Sequence, residues 1–102
     1  MVRGSTTGRP VMAALDLLGR RWTLRVLWEL RDGPVGFRDL QARCDGMSSS
    51  VLRTRLVELV DEGLIVQDDA GYALTRIGAE LGDAIEPLNA WAKRWRRQRG
   101  GA

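Results

Sequence analysis

The 102-residue chain contains no histidine and a single cysteine, Cys44. Without histidine, the commonest general base and the commonest metal ligand are missing. A lone cysteine excludes an intrachain disulfide and a thiolate-rich metal site. No paired acidic motif stands out, so the sequence offers no acid–base pair for an enzyme and implies no cofactor or metal. No apolar run approaches the roughly 20 residues needed to cross a bilayer. No N-terminal stretch has the apolar centre of a signal peptide. The expected location is therefore the cytoplasm, with no membrane partner. Internal repeats are absent, and the only biased tract is the arginine-rich C-terminal end.

Apolar residues make up 44% of the chain and charged residues 28%, the balance of a globular domain. The length fits one domain with a small core. The net charge is +3, and arginine supplies 15 of the 16 basic residues, which favours an anionic partner. Arginine suits bidentate contacts to phosphate and guanine, although a GC-rich genome would produce the same bias.

Periodicity divides the chain into elements. Residues 1–8 are small and polar and are expected to form a flexible arm. Pro10 suits a first helical turn. Val11, Ala14, Leu15 and Leu18 then mark one face of a helix, which Gly19 is expected to close as its C′ residue. A second helix over about 22–31 is apolar on two sides: Trp22, Val26, Leu27 and Leu30 on one, Leu24 and Trp28 on the other. Such a helix must be covered twice, by its own domain and by terminal helices or a second subunit. Asp32-Gly33-Pro34 breaks it, and Val35-Gly36 allows a very short strand. A third helix covers about 37–44 through Phe37, Leu40 and Cys44. Asp45-Gly46 makes a tight turn, Met47 plugs the core, and Ser48 caps a fourth helix reaching about 62. Leu52, Leu56, Leu59 and Val60 are expected to point inward. Strands over 64–67 and 72–74 flank a hairpin turn. Thr75 caps a last helix over about 76–97, which Pro87 is expected to kink or split.

The predicted fold is mainly α with a small antiparallel β-hairpin, a winged helix-turn-helix with added terminal dimerisation helices. Residues 9–98 form this domain and 99–102 a flexible tail. A helix-turn-helix needs a crossing helix, a short turn with glycine, and a second helix whose polar face enters the major groove. Opposite the apolar stripe of helix four lie Ser49, Ser50, Arg53, Thr54 and Val57. The candidate DNA-binding residues are Ser48, Ser49, Ser50, Arg53, Thr54 and Arg55, with Arg76 just past the wing. An ordinary solvated helix face would look similar, but a two-stranded wing following at once is rare by chance.

In order and spacing, several pieces together resemble the HxlR family of bacterial winged helix regulators. They are Arg9-Pro10-Val11, Leu15-Asp16-Leu17-Leu18-Gly19 with Arg20-Arg21-Trp22-Thr23-Leu24, Phe37-Arg38-Asp39-Leu40 and Met47-Ser48. Leu52 to Leu56 with Glu58-Leu59, Glu62-Gly63-Leu64-Ile65 and Tyr72-Ala73-Leu74-Thr75 with Ile77-Gly78 complete the set. The likeness spans about residues 9–95. It implies a homodimer that binds double-stranded operator DNA near its own or adjacent genes. Many family members carry a cysteine directly before the Pro-Val pair, and some use it to sense oxidants. Here that position is Arg9, so the switch cannot operate. Cys44 is expected to be a buried structural thiol. The wing, joined by 68–71, is short and carries two acids.

Val11, Leu15, Trp28, Leu81, Leu88, Trp91 and Trp95 are the candidate dimer-interface residues. The four tryptophans would also suit an aromatic pocket for a small apolar effector, but core and dimer packing is the simpler reading. The expected function is sequence-specific DNA binding by a homodimer, with repression the commoner outcome. The alternative is a winged-helix module for protein–protein contact, since fold does not determine function.

Overall fold

The computed structural model describes residues 9–100, so the expected arm at 1–8 and the last two residues lie outside the described part. Helix α1 (Pro10–Leu18) starts with its proline at the first position, and Arg9 O accepts from Met12 N and Ala13 N. Only Leu17 of this helix is buried. Gly19 closes the helix as expected, but as its C-cap, one position before C′, and with a right-handed backbone (φ −76°). Its small size matters because an added Cβ would lie 2.9 Å from Leu15 O.

The left-handed residue is instead Trp22 (φ 78°), the N-cap of α2 (Thr23–Glu29). A bulky residue there costs roughly 1–3 kcal/mol, offset by packing of its ring on the core. The unusual backbone also explains why α2 starts one residue later than predicted. Trp22 is outside it, and Leu30 closes the last turn.

Val35 forms a single bridge to Tyr72, with both backbone hydrogen bonds at 2.9 Å, which is all that remains of the predicted tiny strand. Helix α3 (Phe37–Arg43) buries Leu40 and is closed by buried Cys44. Asp45 (φ 62°) and Gly46 (φ 68°) then reverse the chain. Met47 enters the core and Ser48 caps α4 (Ser49–Asp61), accepting from Val51 N. Leu52, Leu56 and Leu59 are buried as expected, but Val60 is exposed. It lies one residue past the stripe that faces the core.

The wing pairs β1 (Ile65–Asp68) with β2 (Gly71–Leu74) in antiparallel register, Ile65 opposite Leu74 and Asp68 opposite Gly71. Leu64, predicted to begin the first strand, stays outside it. Its N–H binds Leu59 O and its carbonyl accepts from Thr75 N, closing the wing's base. Gly71 (φ 121°) is required twice over, since a Cβ would also strike the Val35 backbone at 2.6 Å.

Thr75 caps α5 (Arg76–Gln98) by accepting from Gly78 N, while its own hydroxyl donates to Gly63 O at 2.6 Å. The helix runs through Pro87 without a break, so the predicted split does not occur. A missing N–H and one lost carbonyl partner are tolerated where the helix surface around Pro87 is exposed. Arg99 and Gly100 form the turn that ends it. One core cluster joins α2, α3, α4 and the wing through Leu27, Leu40, Leu52, Leu56, Leu59 and Ile65. The result is the helix–turn–helix–wing order read from the sequence.

Candidate nucleic-acid interface

The N-terminal two-thirds of α4 presents Ser49, Ser50, Arg53, Thr54 and Val57 to solvent. These side chains line a shallow groove of about 530 Å³. A second concavity, of about 320 Å³, separates α4 from the wing and shares Arg53 and Val57 with the first. Ser48 Oγ and Ser50 Oγ lie 3.0 Å apart, and Thr54 Oγ1 donates to Ser50 O at 3.0 Å. The Arg53 guanidinium lies over the Phe37 ring, 4.7 Å from its centroid. Among the described residues it makes no hydrogen bond or ion pair, so its N–H groups remain available.

Arg55 is placed differently from its neighbours. Its Nε donates to Arg21 O at 2.9 Å and its Nη1 to Glu58 Oε1 at 2.8 Å. Glu58 Oε2 in turn accepts from Arg20 at 2.8 Å. Burial raises the Glu58 pKa, but hydrogen bonds and charge from Arg55 and Arg20 outweigh it, and the net shift is down from 4.5. The bridge ties α4 to the corner between α1 and α2, and Arg55 faces the domain, not the groove. The i,i+3 spacing of Arg55 and Glu58 was its only trace in the sequence.

Arg76 is exposed at the first position of α5, beside Gly63 and Leu64. That is the C-terminal end of α4, a helix length of about 20 Å from Ser49. The structure therefore does not gather Arg76 with the serines at the other end of α4. The wing tip carries Asp68 and Asp69, and Asp68 Oδ1 accepts from Ala70 N at 2.8 Å.

The candidate interface side chains form a second exposed set. Val11 and Leu15 on α1 and Leu88, Trp91 and Trp95 on α5 are all solvent-exposed. Trp91 and Trp95 stack with ring centroids 5.6 Å apart and planes within 8°. Trp28 is half-buried under the Arg31 guanidinium, 3.8 Å from its ring, and Leu81 packs partly on the core. A groove of about 370 Å³ runs between α1 and α5, lined by Ala14, Leu18, Leu64, Ile77 and Leu81 among others. Cys44 is fully buried, and burial pushes its thiol up against the opposing charge of Arg25. Among the described residues no cluster of three His, Cys, Asp or Glu could hold a metal.

Known proteins share this arrangement. A family model described as HxlR-like helix-turn-helix matches residues 17–100. An HTH-type transcriptional regulator of Methanocaldococcus jannaschii is 33% identical over 89 residues, covering 83% of this chain and 84% of the relative. The quinone-bound YodB of Bacillus subtilis superposes with a TM-score of 0.76 at 30% identity, over 82% of this chain and 96% of that one. A possible HxlR family transcriptional factor from Thermoplasma volcanium superposes with a TM-score of 0.77 at 29% identity, over 87% and 86%. These relatives are regulators and not enzymes. The chain belongs to the HxlR-like family of helix-turn-helix, DNA-binding transcriptional regulators, with the winged helix-turn-helix fold of its solved relatives.

Proposed function

We propose that the protein is a homodimeric repressor that binds a palindromic operator by inserting α4 of each subunit into successive major grooves. One observation carries this reading: Arg53 stands exposed on the polar face of α4 with its donors unpaired among the described residues, while the other arginine of that helix is engaged inside the domain. An arginine so placed reads the O6 and N7 of guanine bidentately. Ser48, Ser49, Ser50 and Thr54 surround it with short groups suited to phosphates and base edges. The acidic wing adds little phosphate binding. Arg76, exposed but apart, contributes at most a backbone contact.

Selection of bound genomic fragments would give the operator, and affinity across a salt series would test the assignment. Arg53→Ala is expected to cost about 1–3 kcal/mol on the operator and to relax preference at one base pair per half-site. Arg76→Ala is expected to weaken all sequences alike, flattening the salt slope by about one unit per lost contact. A folded Arg53→Ala protein with unchanged affinity and specificity would remove α4 as the reading helix.

A further inference from the structure

We infer that Val57 is a specificity-determining residue: it packs against the C5-methyl group of a thymine within one or two base pairs of the guanine read by Arg53, and Phe37 positions Arg53 for that reading. The inference rests on the placement of α4 in the major groove proposed above.

The face of α4 limits what can carry sequence information. The Thr54 hydroxyl donates to the Ser50 carbonyl, and the Ser48 and Ser50 hydroxyls bond each other at the capped end. Two of these hydroxyl protons are thus engaged within the helix and its cap, and the hydroxyl groups of this face, Ser49 among them, contact base edges without distinguishing one base from another. Glu58, which lines the same groove, is paired with Arg20 and Arg55, which hold its carboxylate toward the domain. Two side chains remain with distinctive chemistry: the forked donor of Arg53 and the branched apolar group of Val57.

Val57 is 54% exposed although β-branched and in the middle of a helix, where propensity alone favours other residues. Single exposed valines are common, and Val60 and Val66 are further examples. Val57 differs in register. It lies one turn from Arg53, and the two side chains are shared by both concavities that flank the helix. Side chains at i and i+4 are about 5–6 Å apart at Cβ, which matches one to two base steps of about 3.4 Å. Among major-groove edges only thymine presents a methyl, and an apolar side chain is its natural contact.

Phe37 supplies the remaining part. Its ring lies under the Arg53 guanidinium and comes from α3, the helix that crosses α4. Stacking on the face of the guanidinium leaves its edge donors pointing outward. The contact thereby favours one orientation of the arginine before DNA arrives.

The test uses the intact protein and the duplex recovered by fragment selection. Each thymine is replaced in turn by uracil, which removes only the methyl. Each guanine is replaced by 7-deazaguanine, which removes only the N7 acceptor. One uracil position per half-site should weaken the wild type about fourfold, the value of one buried methyl-sized group. Val57→Ala should bind thymine and uracil duplexes equally and keep its sensitivity to 7-deazaguanine. Phe37→Leu should lose most of the 7-deazaguanine sensitivity and keep the uracil sensitivity, and Phe37→Tyr should restore the former. Thermal melts establish that each variant is folded. Uracil sensitivity that is absent, or that survives in Val57→Ala, overturns the role of Val57 while Arg53 still discriminates guanine. Unchanged guanine discrimination in Phe37→Leu overturns the positioning role. A folded Arg53→Ala with full specificity overturns the placement of α4, and this inference with it.

Discussion

Two glycines in α5 show how local the demands on single residues are. Gly78 is buried where α5 meets the wing's base, and an added Cβ would collide with the Leu64 carbonyl oxygen. The collision is with backbone, so relief requires moving the helix. Gly82, one turn on, has only Leu74 Cδ1 at 3.8 Å from the same hypothetical atom. Gly78→Ala should therefore lower stability by about 1–3 kcal/mol, whereas Gly82→Ala should raise it by roughly 0.5–1 kcal/mol through helix propensity. Urea melts of the two variants would check this opposite pair, and equal effects would contradict the close approach. Cys44 is the other residue whose surroundings decide its chemistry. Burial raises its pKa and closes access, and both suppress the reactive thiolate. Arg9 stands where many resembling regulators carry a cysteine. Mild peroxide or diamide should leave DNA affinity unchanged, in the wild type and in Cys44→Ser alike. A loss of binding that Cys44→Ser abolishes would overturn this.

Between elements, the Arg20–Glu58–Arg55 bridge sets the seat of α4 against the first two helices. Glu58 is only partly exposed and accepts from both arginines at 2.8 Å. Glu58→Gln should cost about 1 kcal/mol, the range for charge-assisted bonds near a surface. The sign with pH follows from its lowered pKa: the contribution is present above about pH 4.5 and is lost as pH falls through the lower folded value. Wild type and Glu58→Gln should thus differ in urea melts at pH 7 and converge as acid protonates Glu58 in the folded protein. A gap independent of pH would show that the bridge contributes through shape alone. This bridge also marks where the sequence stopped being readable. The caps Ser48 and Thr75 act within three residues, so spacing revealed them. The core of α4 repeats at helical period, so Leu52, Leu56 and Leu59 were legible too. Arg55 reaches a carbonyl 34 positions earlier, and nothing local encodes that choice over solvent or phosphate. Trp22 packs on the core with the face predicted for it, but it stands one position outside α2 in a left-handed backbone that its residue type does not announce. Of the kink or split expected at Pro87, the split does not occur, because one lost bond on an exposed surface does not outweigh the rest of a 23-residue helix.

At the scale of the whole molecule, the described domain leaves two apolar surfaces without a partner. Leu88, Trp91 and Trp95 follow one another along the second half of α5, beyond the part that touches the core at Leu81 and Ile85. Val11 and Leu15 are exposed on α1. A helix of 23 residues extends about 35 Å, long enough for its outer half to stand clear of the domain. Stacked tryptophans in water lose the hydrophobic gain that makes large aromatics useful, and a clustered set of this kind marks an interaction surface. A twofold partner would cover both surfaces and would set two α4 helices the roughly 34–36 Å apart that successive major grooves require. Light scattering at micromolar concentration should give about twice 11.4 kDa. Trp95→Asp or Leu88→Asp should dissociate the dimer, because each would bury an unpaired charge at the contact. Both side chains are exposed within one subunit, so the subunit itself should stay folded by circular dichroism. Affinity for a palindromic duplex should then fall steeply while affinity for a single half-site stays close to that of the wild type. That contrast separates a lost partner from a damaged reading helix, which would weaken both duplexes together. A wild-type monomer that binds the palindrome with full affinity would refute the dimer and would require another partner for the exposed tryptophans.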